Sequence, residues 1–203
     1  MTGKPRIVVL VSGNGSNLQA LIDACHAGTI AGEIVTVISN RAKAFGLERA
    51  AKAGIPVQVA AYRPFKGLED GRGAYDSALA ERVSALQPDI IVLAGFMRIL
   101  TGRFLNAFPG RVINLHPALP GEYPGLHAID RAWDDAQRGL RDHTGIMVHE
   151  VIEEVDAGPV LGTAVVPIAP GMSLEALEAA VHGAEHQLLV DVVATRCLQI
   201  MDS

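Results

Sequence analysis

Aromatic residues are scarce in this chain: one Trp, three Tyr and five Phe make up 4% of 203 residues. So few rings argue against an extended surface for stacking bases. Basic charge is not in excess either. Seventeen Lys+Arg stand against 22 Asp+Glu, a formal charge of −5, without the electrostatic footprint of a non-specific nucleic-acid binder. Only two cysteines occur, Cys25 and Cys197, too few for a disulfide framework and without metal-ligand spacing. Both are expected to be reduced structural thiols in a cytoplasmic protein. Long hydrophobic runs are missing as well. The stretch from Ile90 to Leu100 is broken by Gly95 and Arg98 and falls well short of the roughly 20 residues of a membrane span. After Ile7–Val11 the chain reads Ser-Gly-Asn-Gly-Ser rather than a small-residue cleavage site, so no signal peptide is expected. What is present is 49% hydrophobic and 19% charged residues, enough to bury a full core in a single domain over 1–203.

The hydrophobic pattern alternates between strand and helix. Arg6–Ser12 is a near-continuous apolar run of strand length, the signature of a strand buried on both faces. A helix is predicted over Asn17–Ala27, a strand over Glu33–Ser39, and a helix over Ala44–Ala53 stopped by Gly54. Val57–Ala60 is a short strand and Gly73–Leu86 a helix ended by Pro88. Asp89–Ala94 and Arg111–Leu115 are further strands. Such alternation implies crossover units, a mostly parallel twisted α/β sheet and helices on both faces, Rossmann-like in kind. Beyond residue 120 the pattern changes. A helix over Ala128–Arg138 precedes strands over Gly145–Val151 and Val160–Val166, joined by a turn-rich link that favours an antiparallel pair. Ser173 is placed to cap a last helix, Leu174–Leu198. Residues 63–73 are polar and glycine-rich, the best candidate for a mobile loop.

Two segments carry chemistry. Gly13, Asn14, Gly15, Ser16 and Asn17 join the first strand to the first helix. Ligands bind beyond the carboxyl ends of strands in open parallel sheets, and a glycine loop at a helix N-terminus suits one phosphate. The third glycine and the acidic ribose ligand of a dinucleotide fingerprint are missing, as is the Gly-Lys-Ser/Thr of a Walker loop. The same residues also fit a tight turn that holds nothing. Asn114-Leu115-His116-Pro117 ends the fifth strand, where alternation puts Asn114 and His116 on one face. An amide donor beside an imidazole suits a reaction in which a carbonyl oxygen gains charge. Asp156 lies in the most acidic short stretch. Near His116 it would stabilise the imidazolium and raise the histidine pKa. A strand-end pair with an unrelated Asp turn remains the plain alternative.

These segments, with Ala94-Gly95-Phe96-Met97-Arg98-Ile99-Leu100, Tyr123-Pro124-Gly125-Leu126-His127 and Val155-Asp156-Ala157-Gly158-Pro159, occur in an order that resembles the phosphoribosylglycinamide formyltransferase family, a branch of the folate-dependent formyltransferases. The resemblance runs from about Arg6 to the final helix. It implies transfer of a formyl group from 10-formyltetrahydrofolate, a co-substrate, to the amine of 5'-phosphoribosylglycinamide (GAR) in purine biosynthesis. It implies Asn114, His116 and Asp156 as the catalytic set. Gly13, Asn14, Gly15, Ser16, Asn17 and Glu185 would bind GAR. Arg72, Met97, Arg98, Ile99, Leu100, Asn114, Ile152, Glu153, Glu154, Val155 and Asp156 would bind the folate. The half over about 1–100 would hold the GAR phosphate, and that over about 101–203 the folate and the catalytic groups. The expected enzyme works as a monomer or homodimer, with no metal, nucleic acid or membrane. Two departures from the family pattern stand out. Pro120 comes one residue early and is followed by Gly121-Glu122, and Met147 stands where Ser or Thr is usual.

Rival readings are weaker. His182-Gly183-Ala184-Glu185-His186 has the spacing of a His-x-x-Glu-His zinc motif, but Gly183 is a poor helix residue and no third ligand is evident. His127 and His149 stay open between direct and outer roles. A 10-formyltetrahydrofolate hydrolase would need the same Asn-His-Asp set, and a regulatory domain ahead of the sheet is not expected here. A tRNA formyltransferase would call for a basic C-terminal domain. Another amine formyltransferase remains an alternative, and a non-enzymatic phosphate sensor would leave Asn114, His116 and Asp156 without purpose.

Overall fold

In a computed structural model describing residues 3–202, seven strands form one sheet in the order β3-β2-β1-β4-β5-β6-β7. The strands are β1 (Arg6–Val11), β2 (Glu33–Ser39), β3 (Val57–Val59), β4 (Ile90–Leu93), β5 (Val112–His116), β6 (His143–Glu150) and β7 (Val160–Pro167). All pairings from β3 to β5 are parallel, and β5–β6 and β6–β7 are antiparallel. The helices are α1 (Ser16–Ala27), α2 (Phe45–Lys52), α3 (Gly71–Ser84), α4 (Gly102–Leu105), α5 (Ala128–Gln137) and α6 (Leu174–Met201). Alternation in β1 divides the core. Ile7, Val9 and Val11 pack with α1, α2 and α6, whereas Val8 and Leu10 pack with α3 and α4. Central strands buried on both faces must be apolar at every position, which is why β1 and β4 read as unbroken hydrophobic runs.

Several boundaries differ from the sequence reading. Helix α3 begins at Gly71, because the Asp70 carboxylate accepts from the Gly73 N–H. That cap converts the end of the expected mobile loop into helix, and a short 3-10 turn, Arg63–Phe65, orders its start. Strand β5 runs to His116, so the histidine is the last strand residue. The unpredicted α4 buries Phe104 and Leu105. The Leu119–Gly121 departure is a compact turn: the Glu122 N–H donates to Leu119 O, and Gly121 adopts φ +80° after Pro120. Proline then glycine at the two central positions is the residue pair a type II turn requires. Both cysteines are free thiols pushed up to about 11 by burial. Among the described residues, no helix is long and apolar enough to cross a membrane.

Candidate active site

Strand order reverses direction of growth between β1 and β4, and there the loops beyond the strand ends part to open a crevice. Ser12, just after β1, ties the two loops together. Its N–H donates to Gly95 O, its hydroxyl donates to Asn40 Oδ1 at 2.6 Å, and the Met97 N–H donates to the Ser12 hydroxyl at 2.8 Å.

On one side of this knot lies the glycine loop. Gly15 takes φ +76° at the N-cap of α1, and no side chain caps the helix. The first amides of α1 are therefore uncommitted to any side chain and face outward with the positive helix end. Arg49 fixes the loop from α2: Nε donates to Asn14 O at 2.9 Å and Nη2 to Asn14 Oδ1 at 3.0 Å. Glu185, only 5% exposed, reaches the loop from α6 and accepts from Asn17 Nδ2 at 3.3 Å. The same oxygen, Oε2, meets His182 Nδ1 at 2.9 Å. That hydrogen bond holds the His182 imidazole above its usual range. The His182-Glu185 pair is thus engaged with the glycine loop through Asn17, and among the described residues no group of three His, Cys, Asp or Glu is arranged to hold a metal.

On the other side a cleft of about 560 Å³ is lined by Met97–Leu100, Asn114, His116, Arg72, Ile152 and Glu154–Asp156. That is within the range of small-molecule sites. Met97 and Ile99 expose apolar side chains at its mouth, and Arg72 Nη2 donates to Ile99 O at 3.1 Å. Arg98 also lines the cleft. Its guanidinium turns away and stacks 3.7 Å from the Tyr62 ring centroid and 4.6 Å from that of Tyr75. Glu153 is not among the lining residues, and its carboxylate lies against Gly102 at the start of α4, in the space a Cβ there would take. Ile152, Glu154 and Val155 do face the cleft.

At the floor the structure brings Asn114, His116 and Asp156 together, and adds His149. Asp156 Oδ2 is 3.3 Å from His116 Nδ1 and accepts from the Gly125 N–H at 2.9 Å. Asn114 Nδ2 donates to Asp156 Oδ1 at 3.4 Å and approaches His149 Nε2 at 3.1 Å. His149 Nδ1 lies 2.9 Å from Glu150 O, which can only accept, so a neutral His149 carries its proton on Nδ1 and offers Nε2 to the Asn114 amide. His149 is the cross-strand partner of Asn114, as Met147 is of His116. Met147 is fully buried, so the position opposite His116 is apolar. Tyr123, His127 and Asp156, non-glycine residues around this floor, adopt φ of 44°, 59° and 53°. His127 lines the cleft but stays exposed, paired to Asp130 at 3.5 Å.

Electrostatics correct one expectation. Burial pushes the His116 imidazole below its usual range, and Asp156 pulls it back only in part. The expected rise from the carboxylate is real but smaller than the cost of desolvating a charged ring. For Asp156, burial acts upward. The approach of His149 at 3.6 Å, the hydrogen bond from the Gly125 N–H and the neighbouring His116 ring outweigh it and hold the carboxyl below the usual range. At neutral pH the floor therefore holds a neutral His116 and an ionised Asp156.

A family model described as formyl transferase matches residues 5–193. The chain belongs to this family. The phosphoribosylglycinamide formyltransferase of Schizosaccharomyces pombe is 50% identical over 195 residues, covering 92% of this chain and 94% of its own. That of Escherichia coli is 45% identical over 188 residues, covering 93% and 85%. Among solved structures, glycinamide ribonucleotide transformylase 1 from Symbiobacterium toebii superposes with a TM-score of 0.90 at 38% identity, covering 98% of this chain and 90% of that one. The seven-stranded sheet with its antiparallel C-terminal strands is thus the fold of these enzymes. His149 and the Tyr123 carbonyl, which lies 3.1 Å from His116 Nε2, are the floor groups that sequence reasoning left unassigned. The alternation of His149 with Met147 was the one available signal.

Proposed function

We propose that this chain transfers the formyl group of 10-formyltetrahydrofolate to the primary amine of GAR, in the cytoplasm, with Asn114, His116 and Asp156 as the reacting machinery. The observation that carries the reading is the adjacency of two sites on one sheet edge: an uncapped glycine loop at a helix N-terminus and an amide–imidazole–carboxylate floor, joined through Ser12. The N-terminal half would supply the phosphate loop and the C-terminal half the catalytic floor, with Glu185 crossing from α6 to the acceptor side. Met97, Ile99, Leu100, Ile152 and Val155 suit a flat pterin, while Arg72 suits an anionic tail.

The chemistry follows from the floor. Asn114 donates Nδ2–H to the formyl oxygen as the amine nitrogen bonds the formyl carbon, leaving its long 3.4 Å contact to Asp156. His116, neutral at rest, takes the proton that the nitrogen loses, directly or through water ordered by Asp156. The imidazolium so formed faces the Asp156 carboxylate, and His116 returns the proton to N10 as the carbon–N10 bond breaks. No covalent enzyme intermediate is required. The test is incubation with GAR and 10-formyltetrahydrofolate, scoring formyl-GAR against free formate. Formyl-GAR is expected, and formate alone would make the chain a hydrolase.

A neutral His116 sets the sign of the pH response. As pH falls through its lowered pKa the ring protonates and can no longer accept the amine proton. The acid limb of kcat is therefore expected below the ordinary imidazole range of about 6.5. A limb above that value would restore the sequence-based expectation of a raised histidine.

Inorganic phosphate and sulfate should compete with GAR and not with the folate, because uncommitted amides at a helix N-terminus accept an anion without ribose or base. Steady-state inhibition at constant ionic strength checks this, since simple screening is then removed. Competition against the folate alone would move the phosphate away from Gly13–Asn17.

A further inference from the structure

Beside the floor lies a cluster that the reaction above does not use. Tyr123 OH donates to Asp135 Oδ2 at 2.5 Å. Two cations lie over the Tyr123 ring, the Arg141 guanidinium 4.8 Å and that of Arg131 5.0 Å from its centroid. Arg141, its side chain 12% exposed, donates through Nη2 to both oxygens of Glu122 at 2.8 Å. Neither Arg141, Glu122, Tyr123 nor Asp135 lines the cleft. Yet the backbone they clamp is strained, Tyr123 having φ +44°, and its carbonyl oxygen lies 3.1 Å from His116 Nε2.

A strained backbone persists only where its surroundings over-determine it. Here ring, hydroxyl and the preceding carboxylate are all held, and the held object is one carbonyl aimed at the histidine. A carbonyl oxygen can only accept. The ionised Asp156 carboxylate is likewise only an acceptor, but its 3.3 Å approach to Nδ1 is an ion-pair contact, whereas the Tyr123 oxygen meets Nε2 at 3.1 Å in hydrogen-bond geometry; the carbonyl therefore favours the Nε2–H form of neutral His116 and leaves the Nδ1 lone pair on the side of Asp156 and the cleft. The opposite tautomer would set the Nε2 lone pair against the Tyr123 oxygen and send the Nδ1 proton to Asp156.

We propose that Arg141, Glu122, Tyr123 and Asp135 form a positioning device that fixes the tautomer of His116 through the Tyr123 carbonyl. The proposal rests on the reading of His116 as the group that takes the amine proton. It assigns the cluster no contact with either substrate. The groups that face His116 are few. Asp156 comes from the loop after β6, His149 from β6, and the Glu122 and Tyr123 carbonyls from the clamped loop; Met147, opposite on β6, is apolar. Both carbonyls favour the protonated ring, so loosening the clamp should lower the His116 pKa further.

The decisive measurement needs no substrate. Nitrogen-15 NMR of the ligand-free protein, above the His116 pKa, should show the Nε2–H tautomer. The Nδ1–H tautomer in the parent protein would overturn the proposal whatever any variant does. Arg141→Met should then give a mixture of tautomers, a kcat lower by about tenfold or more, and an acid limb moved to lower pH. KM for GAR and for the folate should each stay within about threefold, since neither site is touched. Arg141→Lys, which keeps the charge but not the fork, should fall between the two, and serves if the methionine variant does not fold. An unchanged tautomer and kcat in a folded variant would overturn the assignment, as would a loss confined to KM. If GAR is not formylated at all, the functional reading fails while the NMR result still tests the tautomer.

Discussion

Asp156→Asn is expected to lower kcat by about 10²–10⁴-fold while leaving GAR affinity nearly intact. The backbone should tolerate the change, because Asn adopts the left-handed region about as readily as Asp, and residue 156 sits at φ +53°. What fails is the hydrogen bonding. Asp156 accepts from the Asn114 amide on one oxygen and from the Gly125 N–H on the other. An asparagine has one acceptor, so its NH₂ must face one of these donors in either orientation. It also withdraws the negative charge from a position 3.3 Å from His116 Nδ1. The imidazolium formed during proton transfer then stands in a buried place without a counter-charge, the costly arrangement for any ion. The glycine loop proposed to hold the GAR phosphate shares no hydrogen bond with Asp156, so acceptor binding has no reason to change. Separate measurement of kcat and of GAR binding decides the matter. Turnover within a few-fold of the parent would remove Asp156 from the mechanism.

How much of this floor could be read from sequence depends on what carries each part. Asn114 and His116 were legible because a strand repeats every two residues, so two polar residues two apart at the end of an apolar run must share a face. Asp156 is 42 residues from Asn114 and no local pattern links them; its acidic stretch marked it as a candidate, and only resemblance to a family set it beside Asn114 and His116. His149 was visible as an alternating strand residue. Its meeting with Asn114 depends on the register of β5 against β6, which sequence periodicity does not specify across two strands. The Tyr123 carbonyl is a backbone atom and has no side-chain signature at all. The direction of the His116 shift was misread for a related reason. A neighbouring carboxylate can be guessed from sequence, but burial to 4% exposure arises from the packed surroundings.

The fold divides in the same way. Strands β1 and β4 announce themselves, because strands covered on both faces have no polar positions to blur the pattern. Helix α4 has four residues, too few for a periodicity, and exists because Phe104 and Leu105 have an apolar layer beneath them. The start of α3 turned on one cap, Asp70, within a stretch whose composition signals only a loop. In each case the missing information is tertiary, and it is concentrated where a short segment takes its shape from what it lies against.

The glycine loop shows the same dependence and yields the other large effect. Gly15→Val is expected to weaken GAR binding by about 10²–10⁴-fold, from roughly 1–3 kcal/mol of backbone strain and about 1.5–3 kcal/mol for a lost hydrogen bond to a charged group. Two observations support the first part. Residue 15 holds φ +76°, which a β-branched residue avoids, and a Cβ there would stand 2.7 Å from the Cα of Gly46. Gly46 cannot simply retreat, because its own N–H donates to Gly13 O and the Val11 side chain of β1 fills the space where a Cβ of residue 46 would stand. The loop must therefore reorganise, and with it the amides at the start of α1 that receive the phosphate in this reading. The folate side is coupled to the loop through Ser12, three residues earlier, whose contacts with Gly95, Met97 and Asn40 do not involve Gly15. Folate affinity should consequently change by less than about tenfold, the ordinary scale of one kcal/mol or so. Titration of each ligand alone separates the outcomes. Equal losses would mean that the variant disturbs the whole crevice, and an unchanged GAR affinity would mean that the phosphate binds elsewhere.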